Sequence, residues 1–175
     1  MMMKAIKHNY PIPAMMKDLA ISDLGYPVPY FVPIIEGKPN FALLNEQKQL
    51  RCIEHKLCGI CGKKLYEYMY FITGPVGYKN GVVADPGMHR ECAEYSINVC
   101  PHMYYQKATR KDISSDKFVE DPTAILEKPE KIFLIKANKY KKFINPRNGH
   151  TLIKVRTVSA ETYTYVNGIL QKENL

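Results

Sequence analysis

The stretch Cys58-Gly59-Ile60-Cys61-Gly62-Lys63, followed later by His89-Arg90-Glu91-Cys92, decides the fold of this chain. Two thiolates separated by two residues in a tight turn can bind one metal ion from one side. Gly62 permits the positive φ that such a turn often requires. In the second stretch the histidine and the cysteine are three residues apart, so on a helix they share one face. The sequence therefore predicts one structural zinc ion (Zn²⁺) with a closed tetrahedral set of ligands, namely Cys58, Cys61, His89 and Cys92. The alternative is a set of buried free thiols.

The segment between the two ligand pairs predicts the architecture around the ion. Residues 65–72, LYEYMYFI, have the composition of a strand, a Gly/Pro loop follows, and residues 82–84 return, which together predict a β-hairpin. A helix is expected from about Met88 to Val99, because Pro101 stops it. Knuckle, hairpin and helix in this order are typical of a treble-clef-like zinc module. The predicted fold class is α+β, with flanking β-strands and a C-terminal β-hairpin.

Three regions follow from this centre: an N-terminal Pro-rich β segment (1–50) packed on the zinc module, the module itself (51–101) and a basic C-terminal region (102–175). In the first region, the turn-forming residues 37–40 predict a turn between two short strands. Asn45 is expected to cap a helix through residues 46–56, in which apolar residues recur at helical spacing.

The C-terminal region carries most of the charge. Residues 102–175 contain 14 basic and 8 acidic residues, a balance of +6 within a total of +8 for the 175 residues. Residues 132–144 predict a strand, residues 146–149 a turn, and the two segments 151–158 and 161–170 a terminal hairpin. Residues 112–130 are predicted to be a loop or linker.

Composition excludes several classes of protein. The chain is 46% hydrophobic and 24% charged, as in ordinary soluble globular proteins. It has no uninterrupted apolar stretch of about 18 residues, so no membrane helix is predicted. No secretory signal sequence is predicted either, and we expect a cytoplasmic location, in the host cytoplasm if a phage encodes the chain. An odd number of cysteines, five, then favours metal ligands over disulfides.

A second metal site is the less favoured interpretation of the remaining cysteines. Cys-x-x-His and Cys-x-His spacings each could bring two ligands together, and the residues concerned are Cys52, His55, Cys100 and His102. The favoured interpretation places them in the core or at the surface, with Cys100 as a small buried thiol of the helix.

Four stretches together resemble a family of uncharacterised zinc-binding proteins from bacteriophages and bacteria. They are GYPVPYFV (25–32), EGKPNF (36–41), CGICGKKL (58–65) and the run from FITGPVG to NVCPHM (71–103). The resemblance implies that Cys58, Cys61, His89 and Cys92 are shared metal ligands and that Cys100-Pro101 belongs to the pattern. This sequence departs from the family in residues 74–77 and 85–89. The resemblance to this family implies no enzymatic activity for the chain.

The charge pattern favours a binding module that contacts nucleic acid. Between Glu130 and Glu161 there is no acidic residue, and basic residues alternate with aromatic ones. The candidate contacts are Lys136, Lys139, Tyr140, Lys141, Lys142, Arg147, Lys154 and Arg156. The plain alternative is a solvated strand pair with lysines on its outer face.

Two other functions are weaker interpretations. The 13 tyrosines and the Pro-rich stretch 26–33 would suit a factor that binds and modulates a host protein. A treble-clef nuclease would need a catalytic metal and a histidine base, yet His89 is already committed to zinc and only Glu67 and Asp85 remain nearby. No catalytic residue is predicted.

Overall fold

The computed structural model describes residues 10–41, 43–104 and 128–174, and these form a mixed α/β architecture with one curled sheet. A short 3-10 helix, Ala14–Met16, comes first. The helices are α1 (Glu46–His55), α2 (Pro75–Asn80), α3 (Arg90–Val99) and α4 (Pro101–Tyr104). The strands are β1 (Ile34–Ile35), β2 (Lys38–Pro39), β3 (Met69–Thr73), β4 (Val82–Val83), β5 (Lys131–Ile144), β6 (Thr151–Val166) and β7 (Ile169–Lys172). The linker predicted from residue 112 lies, up to residue 127, outside the described residues.

Two long strands, β5 and β6, organise the main sheet. The strand order is β3-β5-β6-β4, β7 also pairs with β6, and every pairing is antiparallel. The β5–β6 register shifts between Lys136 and Ala137 and again between Ala137 and Lys139. Such bulges bend a strand pair and increase its twist. They explain why a pair this long curls instead of remaining flat.

The prediction of a β-hairpin inside the zinc module is wrong. β3 pairs with β5 and β4 pairs with β6, so the two segments never pair with each other. The predicted Gly/Pro loop is instead helix α2, which Pro75 begins at a position where proline costs no hydrogen bond. Five residues of β3 match the long strand β5, which offers a longer ladder than two-residue β4.

The terminal hairpin was predicted to turn between segments 151–158 and 161–170, and this position of the turn is also wrong. Residues 151–166 form one strand, and the intervening Ser159-Ala160 contains neither glycine nor proline, the strongest local signals for a turn. The turn lies further on, at Asn167-Gly168, where both residues have positive φ as hairpin turns require. The strand predicted at 132–144 and the turn at 146–149 are confirmed.

The N-terminal region packs on the metal-ligand turn. Asn45 caps α1 as predicted, with its Oδ1 accepting from the Lys48 N–H at 3.0 Å. The turn expected at 37–40 lies at Glu36-Gly37 instead, and Lys38–Pro39 form strand β2. In the Pro-rich stretch, Tyr30 N–H donates to Ile60 O at 2.8 Å and Phe31 N–H to Gly59 O at 3.2 Å. This stretch is therefore committed to the interior and does not present a free edge.

The buried core joins the sheet to the predicted ligands. Its fully buried side chains come from β3, β5, β6, α3 and the cysteine pairs, and include Phe71, Met69, Ile97, Leu134, Ile135, Ile153, Cys58 and Cys92. The same cluster holds both halves of the metal-ligand set, so the ion would lie within the core and not at its surface.

Candidate metal centre and basic face

The first two ligands come from a tight turn between α1 and β3. Cys58 N–H donates to Lys63 O and Gly62 N–H donates to Cys58 O, each at 2.8 Å. Gly62 has φ +73°, and a Cβ there would lie 2.9 Å from the Tyr30 ring. The turn therefore needs glycine for two reasons, its backbone conformation and the close approach of Tyr30.

The other two ligands come from the start of α3. The helix begins at Arg90 and not at Met88, so His89 is its N-cap residue and Cys92 lies in its first turn. Ala93 N–H donates to His89 O at 3.0 Å. Met88 exchanges two backbone hydrogen bonds with Tyr70, of 2.8 and 2.9 Å, which fixes the entry to the helix against β3. Pro101 follows the end of α3 and begins α4.

These elements bring the four predicted ligands together. One ligand atom from each of Cys58, Cys61, His89 and Cys92 lies within 4.8 Å of all the others, and all four residues are buried. Tetrahedral zinc with Zn–S bonds of about 2.3 Å places its sulfurs ~3.8 Å apart. The donor set therefore fits one metal ion after a small contraction.

The imidazole of His89 is oriented for metal binding. Its Nε2 lies 2.8 Å from the carbonyl oxygen of Lys64, and its Nδ1 lies 3.3 Å from Cys61 Sγ. Because a carbonyl can only accept, Nε2 carries a proton, and Nδ1 is the nitrogen that faces the thiols and would bind a metal ion. A second hydrogen bond of this kind commonly fixes the tautomer of a metal-binding histidine.

Without a metal, the cluster favours one charged pair, the Cys61 thiolate and the His89 imidazolium. Hydrogen bonds from Cys58 and Cys92 hold the pKa of the Cys61 thiol far below its usual value. Hydrogen bonding to Cys58 and Cys61 raises the pKa of His89 to about 10. Cys92 has its pKa raised by the thiols of Cys58 and Cys61 and by burial, so it keeps its proton. A metal ion must displace the protons on Cys92 and His89, which makes its binding dependent on pH.

The structure does not assemble the second metal site. Within the described ranges, the only group of three or more candidate ligands is the one just described. Cys52 is buried in α1 with its Sγ 3.9 Å from Cys58 O, and burial raises its pKa to about 12. It is therefore a neutral core thiol. Cys100 is half-buried at the end of α3, where it is the C-cap residue.

A charge network behind the ligands was not predicted from sequence. Arg90, which directly follows His89, pairs with Glu94 at 2.8 Å and with Glu161 at 2.7 Å. Glu161 also pairs with Lys172 at 2.9 Å. Burial raises the pKa of Glu161, but hydrogen bonds from Lys172 and Arg90 outweigh it and lower the pKa overall. No local pattern could have revealed a partner 71 residues away.

The strand register divides the predicted nucleic-acid contacts between two faces of the sheet. Tyr140 lies on the inner face, because its ring meets Phe71 edge-on at 6.2 Å and its hydroxyl donates to Ile53 O. Lys139 and Lys141 flank Tyr140 and therefore lie on the outer face. Their register partners are Arg156 and Lys154, and directly paired residues share a face. We call Lys139, Lys141, Lys154 and Arg156 the basic face.

The other predicted contacts lie elsewhere. Lys142 lies on the inner face, where its Nζ pairs with Glu54 at 2.6 Å. Lys136 lies on the outer face before the bulge, with its Nζ 3.9 Å from the centre of the Tyr68 ring. Arg147 is exposed in the turn between β5 and β6.

A groove accompanies the basic face. It has a volume of about 480 Å³ and is lined by Lys56, Met69, Lys139, Tyr140, Lys141, Lys154, Val155 and Arg156. All four members of the basic face are exposed and, within residues 10–41, 43–104 and 128–174, none of them forms an ion pair. Lys154 donates to the carbonyl of Asn80, which leaves its charge uncompensated.

Comparison with known proteins does not assign this chain to a family. Neither a family model, nor a curated protein, nor a solved structure matches the chain. In the described part of the chain, every helix is too short or too polar to cross a membrane.

Proposed function

We propose that the ion is zinc and that its role is structural. Three thiolates and one imidazole are a donor set that zinc favours, and four protein ligands leave no position for water or substrate. Burial of all four ligands supports this proposal. The ligands come from a turn and from the start of a helix, an arrangement similar to a treble clef without its hairpin. Membership of the phage and bacterial family, and the cytoplasmic location, stay predictions.

We further propose that the protein binds nucleic acid through the basic face. The observation that carries this proposal is the pairing of like charges: Lys139 lies opposite Arg156, and Lys141 lies opposite Lys154. Like charges directly opposite each other destabilise a strand pair, and no carboxylate of the described residues offsets them. A polyanion would offset all four charges at once, because phosphates release counterions when lysine and arginine neutralise them.

Binding should therefore depend steeply on salt. For four phosphate contacts, the logarithm of the association constant should fall with the logarithm of salt concentration with a slope of about −3. Fluorescence anisotropy with labelled DNA and RNA oligonucleotides, from 50 to 300 mM salt, measures this slope. The double variant Lys141→Gln/Lys154→Gln should roughly halve it, whereas Lys131→Gln, which removes an ion-paired lysine at the other end of β5, should leave it unchanged.

Two results would reject this function. One is an absence of binding at 50 mM salt with protein that holds one equivalent of zinc. The other is binding that the double variant does not weaken. If the double variant binds normally, nucleic acid binds through another surface; if the unaltered chain does not bind at all, a protein partner becomes the better explanation of the charge.

A further inference from the structure

Two exposed aromatic rings lie on the same face of the sheet as the four cations. Phe143 follows Lys141 by two residues, so it shares the face of Lys141, and 38% of it is exposed. Tyr68 is 37% exposed, and the Lys136 ammonium over its ring places Tyr68 on the outer face as well. Lys139 and Lys141 lie between these two rings along β5, and Arg156 and Lys154 lie opposite them on β6.

The spacing of this strip suits a short piece of a single strand. Lys136, which covers Tyr68, and Phe143 are seven residues apart on β5, which corresponds to at most ~23 Å of strand. The bulges at Ala137 and Lys139 shorten this distance. A strip of roughly 20 Å with aromatic rings at its ends matches the lower limit of single-strand sites, about 4 nucleotides.

The aromatic rings distinguish a single strand from a duplex. In a duplex the bases stack on each other, and a protein face that meets the phosphates offers its aromatic rings no partner. In a single strand the bases are free to stack on tyrosine and phenylalanine, whatever their sequence. An exposed phenylalanine beside lysines gains nothing from phosphates, whereas a base can stack on its ring.

We infer that the basic face, together with Tyr68 and Phe143, binds single-stranded nucleic acid. Phosphates contact Lys139, Lys141, Lys154 and Arg156, and bases stack on the two rings. This inference rests on the proposed function, but it makes a separate claim about the class of nucleic acid and about two residues that carry no charge.

The experiment compares how tightly two probes bind to the full, zinc-loaded chain. Labelled dT12 and a labelled 12-base-pair duplex are titrated by anisotropy at 50 mM salt. We expect dT12 to bind more tightly than the duplex. Phe143→Ala should weaken dT12 binding about 5- to 100-fold without changing the salt slope, because stacking releases no counterions. Duplex binding should not change.

Ile144→Ala is the matched control. Ile144 is the next residue, 56% exposed, and points to the opposite face, so its truncation should leave dT12 affinity unchanged. Zinc content and thermal melting verify that each variant is folded. If Phe143→Ala does not fold, Phe143→Leu keeps the apolar volume and removes the aromatic ring, and the same loss is expected.

The outcomes separate the two claims. If neither probe binds, the proposed function fails and this inference fails with it. If the duplex binds as tightly as dT12, or if the Phe143 variants bind dT12 normally, the single-strand inference is overturned while nucleic-acid binding by the basic face stands. A loss that Ile144→Ala reproduces would also overturn it.

Discussion

Replacing one metal ligand tests whether zinc holds this fold together. Cys92 is completely buried in the first turn of α3, and Cys58 is completely buried in the turn before β3. We predict that Cys92→Ala loses the bound ion, because three remaining ligands leave the site open and asymmetric. The purified variant should hold less than about 0.1 equivalent of zinc, against one equivalent in the unaltered chain.

The expected loss of stability is as large as the whole free energy of unfolding of a protein of this size. Structural zinc sites contribute about 10–16 kcal/mol at neutral pH, whereas whole domains are stable by about 5–15 kcal/mol. In this structure the ion would join the turn after α1 to α3, and α3 is in turn fixed to β3 through Met88 and Tyr70. Cys92→Ala should therefore abolish the cooperative unfolding transition seen by circular dichroism.

Cys52→Ala is the matched control, since it removes the same atoms from an equally buried cysteine. Cys52 is 1% exposed but is not part of the ligand cluster. We expect it to cost about 1–2 kcal/mol, from lost packing alone, and to retain one equivalent of zinc. The reasoning is refuted if Cys92→Ala melts cooperatively within a few degrees of Cys52→Ala, or if a chelator leaves the unaltered chain folded.

Two further predictions concern stability. Glu161→Gln should destabilise the protein by about 1 kcal/mol at pH 7, because partly exposed charge networks contribute little more. The folded state lowers the pKa of Glu161 from 4.5, so this stabilisation is present above pH 4.5 and is lost as pH falls through the folded value. Urea titrations of the two proteins should therefore converge as the pH falls below that value. Asn45→Ala should cost about 1 kcal/mol by removing the cap of α1, and a Lys48 amide that exchanges no faster would contradict the cap.

Local patterns predicted the metal ligands, but they could not predict the sheet. The two ligands of Cys-x-x-Cys, and those of His-x-x-Cys, are only three residues apart. A turn in the first case and the start of a helix in the second are therefore enough to orient both side chains toward one ion. Strand pairing is nonlocal: β3 pairs with a strand that begins at Lys131, and nothing in its own sequence specifies that partner. The neighbouring segment 82–84 was the nearest candidate, and the longer ladder with β5 prevailed.

The basic residues show the same limit in another form. Their charges were evident from composition, but whether they converge depends on strand register and on two bulges. Lys142 follows Lys141 directly in the sequence, yet alternation places it on the inner face, where it pairs with Glu54. The register places five of the eight predicted contacts on the outer face, four of them in directly opposed pairs, and it also shows that Phe143 lies beside them.

The metal centre and the basic face are connected through α1, although they have no residue in common. Tyr140 donates to Ile53 O and Lys142 pairs with Glu54, so the strand that carries the basic face is fastened to α1. That helix ends at His55, Lys56 then lines the groove, and Cys58 follows two residues later. An ion bound at Cys58 would therefore hold one end of α1, and α1 holds β5. A metal ion at this site would thus influence the shape of the basic face without contacting it, because α1 and its two contacts with β5 connect the two.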